Sequence, residues 1–227
     1  APPLQLARDA AHVTWAVLSL LKLSQIWGEE MHKYSQPIRQ YIGKPWHGKG
    51  VLQGSAAGTL LVCAFYSLLW FFGVGVIVPE NALVPGTLLH ACGVGVLVGF
   101  TEELLFRGVM QKEFEVDFKA KSGGGGRGKK GAKSASWKAK VALGLVFAAS
   151  HLSKEAFVGL VALSLCLSEA KRRFGGSLSY AMGLHASLVA SNMVFNLGQA
   201  YVQVAPAPRW LVGSAAHGPH SGLIGVG

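Results

Sequence analysis

Glu102, Glu103 and Arg107 stand in TEELLFRGVM, directly after the apolar run LLHACGVGVLVGF. An ionisable group inside a bilayer costs several kcal/mol unless it is paired or solvated, so each of these is a functional candidate. Read as one α-helix, Glu103 and Arg107 are four residues apart with the acid first, the favourable order for an ion pair. Glu102 projects about 100° away and is left without such a partner. A carboxylate of that kind, held in a polar cavity, can serve as a general base that takes a proton from water.

Two histidines are placed to join it. His151 closes the apolar run GLVFAASH, and His185 lies within SYAMGLHASLVASN. Counting about 1.5 Å per residue from the positively charged side puts Glu102 roughly 15 Å deep, His151 roughly 18 Å and His185 roughly 10 Å. Three separate helices can therefore bring these side chains to one level. Asn192 is about 20° off the face of His185 and about two turns deeper, and it could donate an N–H to the same cavity. Ser187, Ser191 and Asn196 are weaker candidates, because small polar residues also serve as contacts between helices. A purely structural role, in which the Glu103–Arg107 pair and the histidines only lock helices together, makes Glu102 dispensable.

The elements that must position these groups are apolar. Of 227 residues, 51% are hydrophobic and only 14% charged, and mean hydropathy is +0.38. A soluble domain carries roughly 25% charged residues. The expected fold is an all-α, polytopic transmembrane bundle of about five to seven helices, each needing about 20 apolar residues. Candidate spans start at Ser55, Pro85, Lys138, Glu155 and Ser177, and a segment from His12 is either a span or an interfacial amphipathic helix. Lys33, Arg39, Lys44 and Lys49 precede the Ser55 span, and no Lys or Arg separates it from the next. Nine basic residues then lie between Lys112 and Lys140, followed by Lys154 alone, by Lys171, Arg172 and Arg173, and by Arg209 alone. That alternation follows the positive-inside rule, and it accounts for the net charge of +10 without nucleic acid as a partner. Cys63, Cys92 and Cys166 sit singly in apolar runs and read as small buried hydrophobes.

The domain reading places an amphipathic or first helix and a basic loop in 1–54, the bundle in 55–210 and a flexible tail in 211–227. The Gly- and Lys-rich segment 119–138 reads as a disordered basic insertion near anionic lipid heads. The chain opens APPLQLARDA without a Met, and the expectation is that an upstream targeting segment has been trimmed.

EELLFR (Glu102 to Arg107) resembles the EExxxR motif of the CAAX prenyl protease and bacteriocin-processing (CPBP, or Abi) family of intramembrane proteases, which includes the Ras-converting CAAX endopeptidase. FAASH (Phe147 to His151) is similar to its FxxxH motif, and GLH (Gly183 to His185) to the opening of its third motif, a His followed four residues later by Asn or Asp. The resemblance covers roughly half of the chain, from about Pro85 to Asn196. It implies an endopeptidase acting on a prenylated or membrane-embedded protein, with Glu102 activating water, His151 assisting, His185 and an Asn stabilising the oxyanion, and Glu103 and Arg107 in support. Val189 occupies the place of the third-motif Asn and cannot donate a hydrogen bond; Asn192 is the substitute at hand.

The expected partners are membrane lipids and the substrate, with no cofactor. Zinc held by Glu102, His151 and His185 is the alternative, although no HExxH helix is present. The competing function is a weak or inactive relative acting as a membrane scaffold or chaperone; a small transporter lacks support from half-helices or inverted repeats. Localisation is expected in a plastid or endoplasmic reticulum membrane for a eukaryotic source and in the cell membrane for a bacterial one.

Overall fold

A computed structural model describes residues 47–82, 84–121, 129–151, 154, 156–196 and 198–204, all within the unit Ile42–Gly227. The segment from His12 and the tail 211–227 lie outside the described residues. The described chain is mostly helical. Its elements are α1 (Gly48–Phe71), β1 (Gly75–Ile77), α2 (Pro79–Ala82), α3 (Pro85–Glu102), a π-helix (Glu103–Met110), α4 (Gln111–Lys121), α5 (Lys129–Ser150), α6 (Phe157–Arg173), α7 (Ser179–Asn196) and β2 (Tyr201–Gln203).

Among the described residues, two helical stretches are long and apolar enough to cross a membrane, α1 and the rod Pro85–Ala120. The 24 residues of α1 span about 36 Å at helical rise, against a hydrocarbon core of about 30 Å. Their outer faces are apolar and uncovered: Leu60, Leu61, Leu68, Phe71, Leu89 and Val96 are all exposed. Contiguous apolar surface of that extent marks an interaction surface, and on helices of this length a lipid face is the fitting one.

The inner faces are held together by small residues. Helix α7 packs against α1 on one side and α3 on the other. A Cβ at Gly54 would lie 2.2 Å from the Tyr180 carbonyl oxygen, and one at Gly99 would lie 2.6 Å from the Ala186 nitrogen. Backbone approach this close is what glycine at a helix interface permits. At the far end β1 pairs antiparallel with β2, Val76 opposite Val202, and Tyr66 stacks on Phe195 with ring centroids 4.3 Å apart. This two-stranded ribbon is an addition to the all-helical expectation. The second packing centre joins the π-helix to α5 and α6 through Phe106, Leu143, Phe147, Ala148, Ala156 and Leu160.

Helical structure also reaches into the segment read as disordered. Helix α4 continues to Lys121 and α5 begins at Lys129, so the basic stretch 119–138 is helical at both ends. Its Lys and Ala residues are strong helix formers, a preference that the composition argument did not weigh.

Candidate active site

The rod that carries Glu102 changes register where the chemistry lies. It is α-helical to Glu102, π-helical from Glu103 to Met110, and α-helical again from Gln111. The single-helix reading is thereby corrected. A π-helix bonds i to i+5 rather than i to i+4, is rare, and recurs at functional sites. The ion pair survives the change: Arg107 Nη1 donates to Glu103 Oε1 at 2.9 Å, with both side chains fully buried.

Glu103 does more than neutralise Arg107. Its Oε1 also lies 2.9 Å from Nδ1 of His185, a residue 1% exposed. A carboxylate can only accept, so Nδ1 carries the proton and Nε2 is turned toward Glu102. His151 repeats the arrangement, with Nδ1 2.8 Å from the Phe147 carbonyl oxygen. That oxygen too can only accept, which leaves Nε2 of His151 as the free nitrogen.

Both free nitrogens converge on one atom. Nε2 of His151 and Nε2 of His185 each lie 3.8 Å from Glu102 Oε2. This is too long for a direct hydrogen bond and suits a bridging water or reacting group. Burial separates the roles: the Glu102 and His151 side chains are 26% and 17% exposed, while Glu103, Arg107 and His185 lie behind them. Glu102 and His151 are therefore the partly exposed members of the cluster, with Glu102 Oε2 itself buried between the two imidazoles.

Phe147 braces the assembly from beneath. Its ring centroid is 4.6 Å from that of His151 and 6.1 Å from that of His185, and the Arg107 guanidinium sits 4.5 Å above it. The cation–π contact gives the buried guanidinium an electrostatic partner beyond Glu103.

Asn192 is not brought to this point. Helix α7 is α-helical throughout, which puts Asn192 about 10 Å along the axis from His185. Its Oδ1 accepts from Tyr66 Oη at 2.8 Å and from Asn196 Nδ2 at 2.7 Å, in a network that ties α7 to α1. Val189, one turn from His185, is 2% exposed. Ser187 donates to the Leu184 carbonyl of its own helix, and Ser191 donates to Thr59 Oγ1 of α1. His90 is exposed on α3. Tyr66 escaped the sequence reading, although a phenol in the uncharged Ser55 span is the signal that could have found it. Beyond the apolar run of α6, Arg172, with Arg173 and Lys140, holds the Glu169 carboxyl well below the usual carboxylate range.

Zinc ligation fits this geometry poorly. Bonds of about 2.0–2.1 Å in a tetrahedron place ligand atoms about 3.4 Å apart, shorter than the 3.8 Å separations here. Among the described residues, no three His, Cys, Asp or Glu side chains gather at ligand spacing.

Residues 84–191, just under half of the chain, match the family model described as Type II CAAX prenyl endopeptidase Rce1-like. The match spans all three motifs and bears out the resemblance read from them. With the two long apolar helices, it identifies a membrane protein related to a family of proteases. No curated protein and no solved structure matches the chain.

Proposed function

We propose that this protein is an intramembrane endopeptidase of the CAAX prenyl protease type, cleaving a peptide bond of a prenylated or membrane-embedded protein within a transmembrane helical bundle. The observation that carries the reading is the convergence of two imidazole Nε2 atoms, each 3.8 Å away, on the Glu102 carboxylate oxygen. A water held between Glu102 and His151 gives its proton to Glu102 as its oxygen attacks the scissile carbonyl carbon. His185, when protonated at Nε2, donates to the oxyanion of the tetrahedral intermediate, and Glu103 on Nδ1 supports the imidazolium charge. Collapse of the intermediate breaks the C–N bond, and the proton held by Glu102 passes to the leaving amine. The membrane is a plastid, endoplasmic reticulum or bacterial cell membrane, with the basic ends of the spans on one side of it.

The test is cleavage of a farnesylated CAAX peptide and a panel of transmembrane peptides by the purified protein in detergent, beside Glu102→Ala and His151→Ala. The expected result is cleavage that both substitutions abolish and a zinc chelator leaves intact. Loss on chelation, restored by zinc, would replace the water mechanism with a metal one. A folded wild-type protein that cleaves none of the peptides would point to the membrane scaffold, with Val189 as the missing donor.

A further inference from the structure

We infer that Lys171 is a positioning residue of the site, acting through the backbone of the π-helix on the Glu103–His185 contact; the inference rests on the proposed protease reading. Lys171 belongs to the triplet Lys171, Arg172, Arg173 at the basic end of α6, where three positive charges read as a topology signal. The triplet divides. Arg172 and Arg173 are 64% and 74% exposed and pair with Glu169, whereas Lys171 is only 9% exposed.

The Lys171 ammonium is turned inward and donates to the main-chain carbonyl of Arg107. Orienting charge on the cytosol-like side requires no such burial, and desolvating an ammonium is unfavourable unless it finds a strong acceptor. A charge-assisted bond to a buried carbonyl supplies that acceptor. The same face of α6 is polar further in, with Ser164 and Ser168 both fully buried at the i, i+4 positions that precede Lys171. Packing alone would select apolar groups there.

The target of the bond gives it its consequence. Arg107 is the residue whose side chain holds Glu103, Glu103 holds His185 at Nδ1, and His185 then presents Nε2 to Glu102. Arg107 also lies inside the π-helix, between two changes of register at Glu103 and Gln111. Fixing its carbonyl from α6 fixes the phase of the wide turn, and so the direction from which Arg107 meets Glu103. Lys171 touches no reacting atom.

The experiment uses the full chain in detergent and compares wild type with Lys171→Met, Lys171→Gln and Lys171→Arg. It reads ¹⁵N-histidine NMR of the His185 ring without substrate, thermal midpoint, and kcat and KM on the cleaved peptide. The Met variant should shift or broaden the His185 Nδ1–H signal, leave that of His151 in place, and lower kcat at least tenfold with KM unchanged. The Arg variant should restore both. If the Met variant fails to fold, the Gln variant, which keeps an N–H donor, should fold with a wild-type-like His185 signal. A wild-type His185 signal in the folded Met variant, or an Arg variant as impaired as the Met one, would overturn the proposal. So would a Gln variant that folds with a displaced His185 signal. Because the NMR readout needs no turnover, a wild-type protein that cleaves nothing defeats the protease reading alone.

Discussion

Adjacent in the chain, Glu102 and Glu103 address opposite nitrogens of one histidine: Glu103 Oε1 lies 2.9 Å from Nδ1 of His185, and Glu102 Oε2 lies 3.8 Å from its Nε2. The Glu102 side chain is 26% exposed, whereas that of Glu103 is fully buried. Conservative amide substitutions should therefore separate two effects. Glu102→Gln should lower turnover by roughly 10²–10⁴-fold, the range for loss of a general base, with an unchanged thermal midpoint. Glu103→Gln should lower both. Equal loss of stability in the two variants would contradict the division of labour.

Removing the partner of Glu103 should be costlier than removing Glu102. In Arg107→Met the Glu103 carboxylate keeps its contact to His185 but loses its guanidinium in a fully buried setting. Breaking a buried ion pair from one side destabilises by roughly 3–5 kcal/mol. The thermal midpoint in detergent should fall sharply, and Arg107→Lys should recover it only in part, since the Arg fork over the Phe147 ring is lost.

Gly99 sets how closely α3 approaches α7, three residues before Glu102. An added Cβ would meet the Ala186 nitrogen, Cα and Cβ at 2.6–2.8 Å, contacts that require a helix to move. Gly99→Ala should destabilise by roughly 1–3 kcal/mol through overpacking and reduce turnover, because Glu102 is carried away from His185. Gly93→Ala, where a Cβ meets nothing within 4 Å, is the matched control and should leave turnover unchanged without lowering the midpoint. Cleavage assays and melting curves on the two variants decide it.

The helices and the acid–base residues were legible because both announce themselves locally. Apolar runs mark the spans, and charge inside them marks the chemistry. The spacing of Glu103 and Arg107 identified a pair that the structure retains at 2.9 Å. What stayed hidden depends on the backbone or on distant partners. The π-helix leaves no trace in the periodicity of ELLFRGVM, since eight residues fit an α-helix equally well. Glu103 and His185 are 82 positions apart, so the second role of Glu103 had no local signal. Lys171 and Lys140 were counted among the basic charges between spans, yet both are buried. Burial of a lysine is decided by an acceptor on another helix.

Val189 offers the sharpest test of how far the site is complete. It stands one helical turn from His185, is 2% exposed, and brings no donor, while Asn192 is engaged through its side-chain oxygen by Tyr66 and Asn196. Loss of one oxyanion donor costs on the order of 10²–10³-fold in turnover, so restoring one should recover a measurable part of that. Val189→Asn is expected to raise kcat at least tenfold on any peptide the wild type cleaves, with little change in KM. Asn192→Ala, in contrast, should act mainly on the thermal midpoint by breaking the tie between α7 and α1. If Asn192→Ala instead lowers kcat a hundredfold at an unchanged midpoint, Asn192 reaches the oxyanion after all, and α7 must shift along its axis when substrate binds.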